Sequence, residues 1–213
     1  MRVATFNLWG GNEHVEAING FLLDADADVV VLQEVQDIHE ELLALLKKAY
    51  PYRVGDGSLV ILSKYRIIAS GRVDRASDPL MIIRWAKLDV NANEVKFAGA
   101  HLARPFHPAL QQADINSLTQ FVLSQSGPLI LAGDFNMTPW TVKLKTFTAV
   151  TRLQRFNTFC PTWPMRWRNA RLHPFVATDN VFASHHFASL GTTAGPYLGS
   201  DHRPVIVDIA RID

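Results

Sequence analysis

The stretch LAGDFNMTPW, residues 131–140, carries an apolar run into Asp134 and Asn136 and then turns at Thr138-Pro139. A continuous apolar run such as PLILAGD is the pattern of a strand covered on both faces. Side chains alternate along a strand, so Asp134 and Asn136 are expected on the same side of its mouth. A buried strand that ends in an acid and an amide fixes both the kind of sheet and the place to look for chemistry.

Working outward, Arg2–Leu8 reads as another buried strand, and Val15, Ile18, Phe21 and Leu22 then share one helical face, with Asn19-Gly20 on the wet side. Val29–Leu32 is a short apolar strand. Ile38, Leu42, Leu45, Leu46 and Ala49 mark a second amphipathic helix, capped by Asp37 and stopped before Pro51. From Ser58 to Phe97 the pattern is β, through SLVILS, RIIASGRV, LMIIRWAKLDV and EVKFAGAHL, with a hairpin turn at Asn91-Ala92-Asn93. A third helix enters through Pro108 and presents Leu110, Ala113, Leu118, Phe121 and Val122. NVFAS and PVIVDIA close the chain as strands. Mixed βα units and hairpins of this length predict an α/β (α+β) fold: two packed sheets with helices outside.

Composition narrows the function classes. The chain has 213 residues, 48% of them hydrophobic, and no compositional break, which predicts one domain over residues 1–213. Its 21 Lys plus Arg stand against 20 Asp plus Glu, so net charge exerts no pull toward nucleic acid or membrane. A single cysteine, Cys160, excludes an intrachain disulfide and a Cys-rich zinc site. No apolar run approaches membrane-spanning length, and Met1-Arg2 leads straight into strand without a signal-peptide pattern. The expectation is a soluble monomer, cytoplasmic by default, unless an anchor or leader belongs to a longer protein.

Polar residues recur where strands end: Asn7, Glu34, His101, Asp134 with Asn136, Asp179, and Asp201-His202. A single Asn or Asp there is ordinarily a turn-former bonding its own backbone. Six such ends ask for a common purpose, and a phosphate ester supplies one. Its hydrolysis needs charge stabilisation at phosphoryl oxygens and an activated water. Glu34 and Asp201 are hard oxygen ligands suited to Mg²⁺ or Mn²⁺. Asp134 accepts a proton from water, Asn136 and Asn7 orient neighbours without adding charge, His202 donates to a phosphoryl oxygen, and Asp179 fixes its tautomer. Asp24, Asp26 and Asp28 look like a calcium loop but put valine where an EF-hand needs glycine and glutamate, so they read as a solvated turn.

FNLWG, LQEV, GAHL, GDFN, TDNVF and SDHRPV, in this order over nearly the whole chain, resemble the endonuclease/exonuclease/phosphatase superfamily. GDFN and SDHRPV are the specific motifs. The resemblance implies a DNase I-like four-layer sandwich, with Glu34 as main metal ligand joined by Asp201 and Asn7. It also implies that Asp134 and Asn136 position the nucleophilic water, that His202 paired with Asp179 contacts phosphate, and that His101 lies beside the phosphate with a role at the leaving group. Trp9 stands where many members carry an acid or Asn, and Thr178 and Asn180 flank Asp179 where an aliphatic residue and Tyr or His are usual. PTWP at Pro161 and the GSDHRPV ending resemble a bacterial branch with anchored and exported members.

Substrate choice is addressed by a stretch without acids. Between Phe135 and Thr178 lie seven basic residues, Lys143, Lys145, Arg152, Arg155, Arg166, Arg168 and Arg171, with Trp140, Trp163 and Trp167 among them. Guanidinium and indole planes suit phosphodiester backbones and stacked bases; a charged surface loop over packed tryptophans accounts for the same residues. Arg104 and His107 extend the basic wall, and Arg166, Trp167 and Arg168 are the expected substrate contacts with Arg104. The leading expectation is therefore a metal-dependent phosphodiesterase acting on DNA or RNA. Its rivals are a hydrolase of lipid headgroups or small organic phosphates, and a non-catalytic phosphate- or protein-binding scaffold.

Overall fold

The computed structural model describes residues 1–55, 57–75, 78–168 and 170–212. Strands β1 (Arg2–Asn7), β2 (Val29–Gln33), β3 (Tyr52–Val54) and β4 (Leu59–Ser63) alternate with helices α1 (Val15–Ala25) and α2 (Glu40–Leu46). The chain continues through β5 (Arg66–Arg75), β6 (Asp78–Val90), β7 (Asn93–His101), α3 (Pro108–Leu123), β8 (Leu129–Asp134) and α4 (Val142–Thr151). Short strands β9 (Gln154–Arg155), β10 (Arg166–Trp167) and β11 (Ala170–Arg171) precede β12 (Asp179–Ala183), β13 (Phe187–Ala194) and β14 (Val205–Arg211).

Two mixed six-stranded sheets form, ordered β13-β14-β1-β2-β4-β3 and β5-β6-β7-β8-β12-β9. Val31, Leu59, Phe97, Ile130, Val181 and Val207 belong to the apolar layer between them. Helices α1 and α2 cover the outer face of the first sheet through Ile18, Leu22, Leu42 and Leu46, and α3 and α4 cover the second through Leu118, Leu144 and Phe147. The result is the four-layer DNase I-like α/β sandwich. Strands buried on both sides explain why β1, β2, β4, β8 and β12 show apolar runs and not alternation. No helix among the described residues is long and apolar enough to cross a membrane.

Four sequence expectations need correction. Asp37 does not cap a helix: it begins a 3₁₀ turn, Asp37–His39, whose N-cap is Gln36, and this turn leads into α2. Ile38 and Leu45 face solvent, while Leu43 is buried in their stead. The buried face of α3 is Gln111, Asp114, Ile115, Leu118, Phe121 and Val122, so Ala113 lies outside it. That phase was hidden because two of its positions are polar. The segment after Trp140 contains α4, entered by Thr141, whose hydroxyl accepts the Leu144 N–H at 3.4 Å. Phe147 of α4 meets Phe135 and Phe182 at centroid distances of 6.2 and 5.6 Å, pinning the chain just after Asp134.

Candidate active site

The topology collects the candidate side chains at one end of the sandwich. Strands β1 and β2 are parallel, with Asn7 opposite Gln33, so Asn7 and the following Glu34 leave the first sheet together. Strands β7 and β8 are parallel, with His101 opposite Asp134. Antiparallel β12 begins at this same end, with Asp179 opposite Asp134, and the loop carrying Asp201 and His202 precedes β14. Parallel strands thus contribute their last residues and antiparallel strands their first. Gly133 makes the β7–β8 alignment possible: at φ +149° a Cβ there would stand 1.9 Å from the Ala100 carbonyl oxygen.

Asp134 and Asn136 meet for a different reason than strand alternation. The strand stops at Asp134, and Asn136 adopts φ +49°. Asp134 Oδ1 accepts the Asn136 main-chain N–H at 2.8 Å, an Asx-type turn. The turn-forming reading of this pair is realised, and Asp134 Oδ2, which the turn does not use, faces the other sheet. Asn136 in turn donates its side-chain N–H to the Leu102 carbonyl at 2.9 Å.

Asn7 joins the two sheets. Its Nδ2 donates to Glu34 Oε1 at 3.1 Å and to Asp134 Oδ2 at 3.0 Å, while its Oδ1 accepts the Trp9 N–H at 3.0 Å. His101 Nε2 lies 3.8 Å from Glu34 Oε1 and 3.9 Å from Asp134 Oδ2. His202 Nε2 stands 3.7 Å from Asp134 Oδ2, and its Nδ1 lies 2.8 Å from Asp179 Oδ2. Arg104 Nη2 reaches Glu34 Oε1 at 3.2 Å. Ser200 Oγ fastens the last loop to β1 by donating to the Asn7 carbonyl at 2.7 Å and accepting the His202 N–H at 3.0 Å. Asp201 accepts the Trp163 indole N–H at 3.2 Å.

Burial and charge set the protonation states. Burial disfavours the charged form of His202, but Asp179 and Asp134, with the Asp179 hydrogen bond, outweigh it and push its pKa up to about 10. A protonated His202 presents an Nε2–H toward Asp134. Burial raises the Asp134 pKa above the ordinary carboxylate value, with His202 opposing and Asp179 reinforcing. Burial acts the same way on Glu34, yet His101, the Asn7 amide and Arg104 together bring it below its usual value. Glu34 is thus ionised, with its side chain 18% exposed.

A divalent cation fits this donor set. One ligand atom each from Asp134, Asp179 and His202 lie within 4.8 Å of one another. His202 Nδ1 is committed to Asp179 and its pKa is raised, so the free lone pairs are carboxylate ones; Asp179 Oδ1 is buried without a hydrogen-bond partner among the described residues. The Glu34 and Asp134 oxygens add two more, held by one amide nitrogen. Hard oxygens without thiolate match Mg²⁺ or Mn²⁺.

The expected substrate contacts divide. Arg104 stands over Glu34, and the Arg166 guanidinium carbon lies 4.3 Å from the Trp9 ring centroid. Trp167 and Arg168 are exposed on the β10–β11 hairpin and make no hydrogen bond or ion pair to the acids among the described residues. The basic stretch is not one surface: Arg155 turns inward to Asn180 and the Asn157 carbonyl, and Lys143 lies on α4 bonded to Gln111 and the Pro108 carbonyl.

Two residues that the sequence reading passed over support the site. Gln111 Nε2 donates to the Ala103 carbonyl at 3.0 Å and to the Asn136 carbonyl at 2.9 Å. Asp114 accepts the Ala103 N–H at 2.8 Å and pairs with Arg75 at 2.7 Å. They clamp the loop of His101 and Arg104 to the turn of Asp134 and Asn136. Their signal was present as two polar residues, three apart, on the apolar face of a helix.

Comparison with known proteins bears on the family and the fold. The sequence profile of the endonuclease/exonuclease/phosphatase family matches residues 4–202. A functionally unknown conserved protein from Enterococcus faecalis superposes with a TM-score of 0.81 at 16% identity, covering 100% of both chains. A mannosyl-6-phosphatase from Bacteroides thetaiotaomicron gives 0.74 at 17% identity, covering 99% of each chain. A beta toxin from Staphylococcus aureus gives 0.74 at 16% identity over 98% of this chain and 99% of its own. No curated protein matches.

Proposed function

The chain belongs to the endonuclease/exonuclease/phosphatase family, and on that premise we propose that it is a divalent-metal-dependent phosphodiesterase acting on DNA or RNA. Membership supports phosphoester hydrolysis in general; the diester and nucleic-acid reading rests on the surroundings of the site. The observation that carries it is the convergence on Asp134 Oδ2, within 3.0 Å of Asn7 Nδ2, 3.9 Å of His101 Nε2 and 3.7 Å of His202 Nε2. Trp9, bonded to Asn7, carries Arg166 over its ring, a pair that suits a backbone phosphate, and the exposed Trp167 next in the chain suits a stacked base.

In this reading Glu34, with Asp201 from the loop before β14, would hold Mg²⁺ or Mn²⁺, which would supply positive charge for the phosphoryl oxygens, while Asn7, whose oxygen accepts the Trp9 N–H, steadies the Glu34 carboxylate from beside it. Asp134, its free oxygen bordered by Asn7 and His202, takes the proton of the attacking water as the new O–P bond forms. Asn136 orients that water. His202, kept cationic by Asp179, donates its Nε2–H to a non-bridging oxygen, where charge accumulates. His101 faces the departing oxygen, which leaves as the P–O bond breaks.

A substrate panel with Mn²⁺ tests the assignment: bis(4-nitrophenyl) phosphate, 4-nitrophenyl phosphate, single-stranded DNA, RNA, and a phosphocholine diester. Cleavage of the diester and a polynucleotide, abolished in Glu34→Ala, Asp134→Ala and His202→Ala, is the expected outcome. Preference for the monoester or the lipid headgroup would overturn it.

A further inference from the structure

Arg166 is held in an unusual way for a surface cation. Its guanidinium carbon lies over the Trp9 ring, 4.3 Å from the centroid, and its Nε and Nη2 both donate to the Arg168 carbonyl, at 3.3 and 3.0 Å. No carboxylate pairs with it among the described residues, so the remaining donors of its five-donor fork are unspent. The ring contact and the two bonds to one carbonyl restrain it, and a pre-oriented guanidinium loses little freedom when it engages an oxyanion.

Both members of the pair are mounted on residues that build the acid cup. Trp9 donates its N–H to Asn7, and the adjacent Gly10 N–H points to Glu34 Oε2 at 3.4 Å. Arg166 follows Met165, whose N–H donates to the Asp201 carbonyl at 2.7 Å, and Trp163 bonds the Asp201 carboxylate. Trp9 itself sits at φ +60°, a left-handed conformation that is uncommon for a bulky residue and concentrates at functional sites. The ring is thus placed to support Arg166 at the rim, where the first sheet and the β10–β11 hairpin approach each other.

We propose that Trp9 and Arg166 form a specificity subsite for a second phosphate of the substrate, one that flanks the phosphate being cleaved. This deepens the phosphodiesterase reading and rests on it for the identity of the first phosphate. The planar fork suits the non-bridging oxygens of such a group, and the indole beneath excludes water from one face of the cation. A monoester of a small alcohol lacks anything to place there.

Binding separates this subsite from catalysis. Isothermal calorimetry with Mn²⁺ would compare thymidine 3′,5′-bisphosphate with thymidine 5′-monophosphate. The wild type is expected to bind the bisphosphate about tenfold or more tightly, the range of a charge-assisted hydrogen-bonded contact. Arg166→Ala should remove most of that ratio, Arg166→Lys should keep part of it, and Trp9→Leu should reduce it, with thermal midpoints recording whether each variant folds. Equal affinity of the wild type for the two nucleotides would overturn the proposal, as would an equal loss for both in Arg166→Ala, the sign of a merely structural arginine. Absence of phosphodiester cleavage would refute the catalytic reading while leaving the binding ratio to decide the subsite.

Discussion

Replacing Gln111 by leucine would test whether the clamp beneath the site matters for chemistry. Gln111 is 5% exposed, and its Nε2 bridges the Ala103 and Asn136 carbonyls. Leucine nearly fills the same space, so the change removes hydrogen bonds and leaves no large cavity. Each carbonyl loses a bond worth about 1 kcal/mol net, and more if it stays dry. Asn136 is partly exposed, so water takes up one of the two in part. The expected destabilisation is about 2 kcal/mol, a fall in Tm of roughly 4–8 °C for a chain this size. The effect on rate should be larger, because the clamp registers the His101 and Arg104 loop against Asp134 and Asn136. A displacement on the order of 1 Å costs about a hundredfold. The assay is kcat and KM for bis(4-nitrophenyl) phosphate with Mn²⁺, measured well below Tm. Lys143→Met, which removes the partner of Gln111 Oε1 and an exposed bond to the Pro108 carbonyl but leaves both bonds of Gln111 Nε2, serves as the control and should change kcat by less than about threefold. If Gln111→Leu lowers Tm as expected yet leaves kcat within about threefold of wild type, the clamp is structural and the reasoning is refuted.

Three further expectations follow from the same geometry. If Glu34 anchors the cation, Mn²⁺ at about a hundred times its dissociation constant should stabilise the wild type by about 2.7 kcal/mol, and Glu34→Gln should abolish the shift in a thermal melt. In chelator, His202 contributes stability that is fully present below its unfolded pKa near 6.5 and lost as pH rises through about 10, because the native state holds a proton that the unfolded state has released. Asp179→Asn should move that loss to lower pH in urea titrations; an unchanged profile would contradict the pairing. Gly133→Ala should prevent soluble folding, since its methyl group would meet the Ala100 carbonyl at 1.9 Å; a folded variant with native Tm would show that β7 and β8 can separate at no cost.

Much of the architecture was legible because it depends on local pattern. Apolar runs identified β1, β2, β4, β8 and β12, since strands buried on both faces carry no polar alternation. The turn at Asn91-Ala92-Asn93 was legible from its asparagines, which favour such turns, and Asn91 and Ala92 both adopt positive φ there, alanine without any preference for it. Where the pattern was diluted the reading failed. Gln111 and Asp114 disguised the buried face of α3, and α4 had only Leu144 and Phe147 to mark it. The eight-residue strand β13 alternates weakly on a largely exposed edge and went unread.

For the site, the sequence by itself determined which side chains were available: acids, amides and imidazoles at strand ends, in motifs that match the family. It could not determine how they are used, because their partners lie far away in the chain. Asn7 and Asp134 are 127 residues apart, and only the packing of one sheet on the other brings them to 3.0 Å. Asp179 meets His202 only because β12 runs antiparallel to β8 and starts where β8 ends. The division of the basic stretch, with Arg155 turned inward and Arg166 laid over Trp9, likewise belongs to the tertiary structure. Local sequence encodes the direction and end of each strand; charge state and contact depend on distances across the core, which no short window of sequence contains.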